Sequence, residues 1–223
     1  MSGTLYGHDR NFYWKQTNNA VEYIGRALKA ELGNAIIRLG VAPSIVKEAG
    51  AFRYLESCGG GGIANCSGAV RGPKLPDMKK LFGWSRLYVS LDDVIMCFLS
   101  NPDNADLMRQ VIPGFNGTHA MENRFPRLHQ VAARYLFGVR AEFMPEIEYT
   151  DIKRLVLVGC AVTVHLKGHF TSAVDWNTAT DEGVQNDSWG DRKPEWHGDG
   201  FNRPLTFAEW ADGHKDVTVY YPD

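Results

Sequence analysis

The sequence is poor in cysteine, and no two of its cysteines have the spacing of a metal-binding or redox motif. Only four occur among 223 residues, and no two are separated by the two residues of a Cys-x-x-Cys motif. This excludes a zinc ribbon and a dithiol redox motif, and in a reducing compartment we expect no disulfide framework. Cys97 and Cys160 lie in apolar segments, which favours buried thiols that pack as small hydrophobic side chains.

The sequence also lacks a charge excess and a long apolar run. Its 24 basic and 26 acidic residues give a net charge of -2, so we do not expect nucleic acid as a partner. No apolar run approaches the roughly 18 residues that cross a bilayer, so we expect no membrane association. The first ten residues do not have the basic and then apolar pattern of a secretory leader. The predicted location is therefore the cytoplasm, although release by lysis or packaging into a virion needs no such leader.

Helical patterns dominate the first part of the chain and strand patterns the last part. The length and the 44% hydrophobic content fit one domain. Helices followed by a mostly antiparallel sheet define an α+β class. The predicted helices cover residues 18–31, 90–99, 101–112, 126–137, 150–158 and 206–211, and the predicted strands cover 139–143, 161–166, 169–176, 183–186 and 217–221.

Residues 56–76 are rich in glycine and proline. Five glycines occur up to Gly68, and Gly72, Pro73 and Pro76 follow. This composition predicts an irregular, mobile loop. A phosphate-binding loop is not favoured, because such a loop follows a strand, opens a helix and is followed by Lys and then Ser or Thr.

A histidine and a carboxylate lie at the ends of two strands predicted to form a hairpin. His169 follows Gly168 at the start of one strand, and Asp187 follows the next strand. If these strands pair across residues 177–182, the carboxylate can accept the second N–H of the imidazole and orient a general base. Asn186 is an alternative orienting group. The simpler interpretation is a structural hydrogen bond at a strand end.

These residues carry a resemblance to a known family. Residues 151–223 resemble the second half of the papain-like double-glycine (bacteriocin-processing) peptidases, including their bacteriophage members. The matching segments are 159–162, 168–170, 186–190, in which Ser188 replaces the usual proline, and 198–203. The resemblance implies a papain-like fold over residues 1–223 with an insertion at about 50–138. It also implies that His169 is the general base and Asp187 its orienting residue.

The nucleophile that the resemblance requires is not evident in the sequence. The family places a cysteine at the start of its first core helix, in Cys-Gly-x-Ser/Thr/Ala, and a glutamine six residues earlier. The best local match puts Leu32 at the cysteine and Arg26 at the glutamine. Cys58 is the alternative nucleophile, but the predicted loop around it supplies no helix dipole. Cys66 has the same weakness.

Two other interpretations remain open at this stage. On a single strand His165 and His169 would share one face, and His197 and Asp199 follow, so a catalytic zinc site is a second hypothesis, but Gly168 interrupts the strand between the two histidines. The prediction is nevertheless that the protein holds no metal and no cofactor.

The third hypothesis is a catalytically inactive protein. It would bind peptide in a groove lined by tryptophans, or it would have a structural role in assembly. The candidate tryptophans are at positions 176, 189, 196 and 210. The favoured function is a cysteine hydrolase that cleaves a peptide or cell-wall amide bond. The predicted catalytic residues are His169, Asp187 and Cys58, and the oligomeric state is left open.

Overall fold

A computed structural model describes residues 58–71, 105–111, 126–188, 200 and 202–222. The α+β class predicted from the sequence is confirmed within these ranges. Several predicted features lie outside them: the helices at 18–31 and 90–99, the positions Arg26, Leu32 and Cys97, and the segment containing Trp189, Trp196, His197 and Asp199.

Six strands form one antiparallel sheet in the order β1-β6-β2-β3-β4-β5. Five of them were predicted to within two residues at each end. The short strand β5 was not predicted, because its three residues show no periodicity and include Pro204, which an edge strand tolerates. The strands are β1 (Ala141–Met144), β2 (Ala161–Leu166), β3 (His169–Asn177), β4 (Glu182–Asn186), β5 (Arg203–Leu205) and β6 (Val217–Tyr220).

Five helices accompany the sheet in the described ranges. They are α1 (Cys58–Arg71), α2 (Ala105–Val111), α3 (Pro126–Phe137), α4 (Tyr149–Leu157) and α5 (Phe207–Ala211). Helix α4 begins just before the predicted Thr150-Asp151 cap, because Glu148 is the N-cap and its N–H is accepted by the Asp151 carboxylate at 3.0 Å. Helix α5 lies within the predicted range 206–211, and Thr206 is its N-cap. None of the described helices is both long and apolar enough to cross a bilayer.

Apolar side chains pack on both faces of the sheet. Consecutive residues of a strand point to opposite faces, and Ala161 and Val162 accordingly belong to two different clusters. Helices α1, α2 and α3 cover the face of Ala161, whereas α4 and α5 cover the face of Val162. The sheet is therefore the middle layer of three.

The prediction of an irregular loop at 56–76 was wrong, because residues 58–71 form helix α1. Residues 59–70 of this helix are buried. Each glycine lowers helix stability by about 1 kcal/mol relative to alanine, so tertiary packing has overridden local propensity here. Part of the predicted insertion at about 50–138 is thus packed against the sheet, while the extent of an insertion stays a prediction.

Close approach of α1 to the sheet explains at least one of its glycines. A Cβ at Gly62 would lie 3.0 Å from Thr163 Cγ2, on the central strand β2. The backbone is also hydrogen-bonded to the sheet, since Ser172 Oγ donates to the Gly62 carbonyl at 3.1 Å. Thr163 Oγ1 lies 3.5 Å from Cys66 Sγ and makes a second link. Glycine at position 62 therefore lets the helix lie directly on the strands.

Substitution of Gly62 tests this packing. We expect Gly62→Val to lower the free energy of unfolding by about 1–3 kcal/mol, because its side chain overpacks the contact with Thr163. In a Thr163→Ser background the loss should be smaller, since serine lacks the Cγ2 methyl and keeps the hydroxyl. Urea denaturation of the four proteins of this double-mutant cycle measures the coupling. Equal losses in both backgrounds would contradict the proposed contact.

Candidate active site

Cys58 is the first residue of helix α1 and is less buried than the residues that follow it. The first-turn N–H groups of a helix have no intrahelical acceptors and carry a positive partial charge. This position favours the thiolate form of a cysteine. The expectation that no helix dipole acts on Cys58 was therefore wrong, and its cause was the incorrect loop assignment.

His169 and Asp187 are brought together by the hairpin of β3 and β4. His169 is the first residue of β3, after a turn in which Gly168 has a φ of 68°. The predicted pairing of the two strands is confirmed, with Ser172 opposite Asn186. His169 Nε2 donates to Asp187 Oδ1 at 2.6 Å, and both side chains are at most 1% exposed. This bond leaves Nδ1 as the ring nitrogen that can serve Cys58.

Asp187 is fixed by the backbone of residues that follow it in the chain. Its N–H donates to the Gly200 carbonyl at 2.8 Å. A Cβ at Gly200 would lie 1.9 Å from the Asp187 carbonyl oxygen, so only glycine fits there. Next to this contact, the Asn202 N–H donates to Asn186 Oδ1 at 3.1 Å. Asp187 thus contacts His169, while the side-chain amide oxygen of Asn186 binds the returning chain.

Cys58 and His169 shift each other's pKa, and Asp187 also shifts the pKa of His169. Burial is the largest influence on Cys58 and would raise its pKa. The hydrogen bond and positive charge of His169, with the N–H groups of Phe170 and Gly59, together lower the pKa of Cys58 below its ordinary value. Burial disfavours the charged form of His169, yet the hydrogen bonds and charges of Asp187 and Cys58 raise the pKa of His169 to about 9. Both shifts favour the charged forms, a thiolate at Cys58 beside an imidazolium that keeps its proton up to about pH 9.

The other described cysteines have a different environment. Cys66 is fully buried, and burial raises its pKa to about 12. Cys160 is also buried, as predicted, and burial raises its pKa as well. All three described cysteines are free thiols. Among them, Cys58 alone combines partial exposure with a lowered pKa.

The structure separates His165 from His169. They lie on β2 and β3, on either side of a turn, and His165 is opposite Phe170. The separate strands predicted at 161–166 and 169–176 are confirmed, so the single-strand arrangement of the two histidines that the zinc hypothesis used does not occur. Trp176 and Trp210 are buried in the apolar cluster under α4 and α5, so these two tryptophans line no groove.

Sequence reasoning missed His129, which lies next to this site. It is buried on helix α3, and its ring packs edge-on against Phe170 at a centroid distance of 4.9 Å. Phe170 follows His169 directly and contacts Cys58 through its backbone N–H. A histidine on the apolar side of a predicted helix was the available signal. It could be interpreted only once the helix was known to pack on β3.

The comparisons with known proteins give no match. No family model, no curated protein and no solved structure matches this sequence.

The reactivity of Cys58 tests the geometry of the site. We expect iodoacetamide to alkylate Cys58 rapidly at about pH 6–7, where an ordinary thiol of pKa about 8.5 is largely protonated. Cys66 and Cys160 should react slowly, because burial limits access and raises their pKa values. The rate at each cysteine is followed by mass spectrometry. In His169→Ala the rate at Cys58 should fall and acquire the pH dependence of an ordinary thiol, and an unchanged rate would contradict the pairing.

Proposed function

We propose that this protein is a cysteine hydrolase that cleaves an amide bond. The observation that carries the proposal is the convergence of Cys58, His169 and Asp187 at the end of a buried helix. A thiolate at a helix N-terminus, a histidine beside it and a carboxylate on the far ring nitrogen are the parts of a nucleophilic catalyst. Their order in the chain also agrees with the resemblance of residues 151–223 to papain-like peptidases.

The proposed reaction starts from the ion pair. The Cys58 thiolate attacks the carbonyl carbon, and the developing oxyanion is stabilised by N–H groups at the start of α1. The His169 imidazolium donates its Nδ1 proton to the leaving amine as the C–N bond breaks. The product of this step is a thioester on Cys58, a free amine and a neutral imidazole.

Hydrolysis of the thioester restores the enzyme. His169 accepts a proton from water, and the hydroxide attacks the thioester carbonyl. The C–S bond breaks, the acid is released and the thiolate–imidazolium pair forms again. Asp187 keeps its hydrogen bond to Nε2 throughout, so it fixes the tautomer and stabilises the imidazolium.

The papain-like fold is part of the proposal. It is supported by a helix that begins with Cys58-Gly59, as the family signature does, and by its packing against an antiparallel sheet that carries the histidine. Two features depart from the family pattern, because Gly61 stands where the signature has Ser, Thr or Ala, and position 52, six residues before Cys58, is phenylalanine and not glutamine. The helix N-terminus is accordingly the donor that we assign to the oxyanion. On the resemblance alone, the substrate class is a peptide or a cell-wall cross-link, cleaved by a protein of phage or bacterial type.

The competing hypothesis was an inactive protein that binds peptide. Its main support was the missing nucleophile at Leu32, and the position of Cys58 in the structure weakens that support. The tryptophan groove is weakened too, since Trp176 and Trp210 are buried. Inactivity is therefore an outcome of the test and not a second proposal.

Activity assays on a matched set of variants test the proposal. The wild-type protein should hydrolyse a member of a panel of fluorogenic peptides and peptidoglycan cross-link fragments. Cys58→Ser should lower kcat/KM by at least about a thousandfold, whereas Cys160→Ser should keep the activity. The pH profile of kcat/KM should rise as Cys58 deprotonates and fall through about pH 9 as His169 loses its proton.

A covalent probe separates an incorrect mechanism from an unsuitable substrate panel. A broad peptidyl vinyl sulfone should modify Cys58 in the wild-type protein and not in Cys58→Ser. Modification without turnover of any substrate would indicate a competent nucleophile and the wrong panel. Absence of both would overturn the hydrolase proposal and support the binding protein.

A further inference from the structure

Two histidines and an aspartate converge at the end of strand β2, away from the catalytic pair. His165 lies on β2, and His214 and Asp216 lie in the segment between α5 and β6. One potential ligand atom from each of the three lies within 4.8 Å of the other two. This group is not evident from the sequence, because about fifty residues separate His165 from His214.

The backbone holds these three positions together. The His214 N–H donates to the His165 carbonyl at 2.8 Å. Asp216 directly precedes Val217, which pairs with Val164 in the sheet, so it lies beside the strand end. A Cβ at Gly213 would lie 2.8 Å from the His165 carbonyl oxygen, so the loop packs closely against the end of β2. The backbone therefore holds the three residues side by side, while the His214 side chain is free to adjust.

One buried ring nitrogen of this group has no hydrogen-bond partner in the described part of the chain. His165 Nδ1 is buried and makes no hydrogen bond within the described part of the chain, although Asp216 Oδ1 lies 3.4 Å away. The rings of His165 and His214 stack at a centroid distance of 4.0 Å. Two stacked imidazoles repel each other when both are protonated, whereas a cation bound by both nitrogens and the carboxylate satisfies all three groups.

We propose that His165, His214 and Asp216 bind a divalent transition metal ion, and that zinc is the ion their chemistry favours. Two imidazole nitrogens and one carboxylate oxygen are three of the four ligands of a tetrahedral zinc ion. Water takes the fourth position. Ligand atoms around such an ion are about 3.4 Å apart, so the exposed His214 side chain moves inward when the ion binds.

The bound ion ties the loop before β6 to the end of β2. Phe170 stacks on the other face of the His165 ring at 4.3 Å, and it is the residue after His169. The site therefore lies one hairpin turn from the catalytic histidine, and its role is to hold that end of the sheet. This proposal does not depend on the proposed function, because an inactive protein can bind the ion equally well.

Zinc titration of the full-length protein tests the site. The titration is done in a Cys58→Ser background, because a thiolate next to His169 and Asp187 would itself bind zinc. Isothermal titration calorimetry should give one zinc ion per chain, and bound zinc should raise the thermal midpoint. His214→Ala and Asp216→Asn should each weaken binding by at least about tenfold and remove the rise in midpoint. Asp212→Asn is the matched control, because it makes the same change in the same loop at a residue whose ion pair is with Lys167.

The spectrum of bound cobalt gives an independent readout. Co²⁺ at this site should show d–d bands of a four-coordinate ion without a thiolate charge-transfer band. Both variants are expected to fold, because His214 is exposed and asparagine has nearly the same shape as the aspartate that it replaces at position 216. Circular dichroism checks this. Absence of zinc binding in the Cys58→Ser protein would overturn the proposal. Equal affinity in His214→Ala, Asp216→Asn and their parent would overturn it as well.

Discussion

The contact between helix α1 and the sheet is the constraint on which the candidate site depends. Gly62 lies against Thr163, and the Ser172 hydroxyl is bonded to the Gly62 carbonyl. This approach fixes the height and direction of the helix over β3, and so it places Cys58 near the start of that strand. A bulkier residue at position 62 would lift the helix and move the thiol away from the imidazole.

Burial disfavours the charged forms of Cys58 and His169, and interactions within the site stabilise those forms. Burial acts first on both groups, raising the pKa of Cys58 and lowering that of His169. The hydrogen bond and charges that the two groups share oppose both effects, and the Asp187 carboxylate further raises the pKa of His169, so both shifts favour the ionised pair. Removal of one partner should therefore return the other toward its neutral form, which is the form that burial favours. The site is a coupled unit, and its reactivity belongs to all three residues.

The sequence was informative where the signal was periodic and local. The strands at 161–166 and 169–176 and the helix at 126–137 were predicted almost to the residue, because apolar alternation and Pro126 mark them clearly. The hairpin then placed His169 beside Asp187 without any knowledge of the rest of the fold. These are short-range relations, and one strand pairing is sufficient to establish them.

What the sequence could not show depends on contacts between distant segments. Glycine-rich residues 58–71 have the composition of a loop, and only packing against Thr163 and Ser172, about a hundred residues later, makes the helix favourable. Because a loop was predicted there, no helix dipole was expected to act on Cys58, and the family's cysteine was aligned with Leu32 instead. The group formed by His165, His214 and Asp216 was missed for the same reason, since the pairing of β2 with β6 creates it.

The central claim is that Cys58 and His169 form an ion pair at neutral pH, and NMR titration of the histidine side chains tests it most directly. Seven histidines contribute signals, and His169→Gln assigns the one of interest. The account expects the His169 imidazole to titrate near pH 9 in the wild-type protein and at a lower pH in Cys58→Ser, which lacks the thiolate. A midpoint near the ordinary value of about 6.5, unchanged by Cys58→Ser, would contradict it.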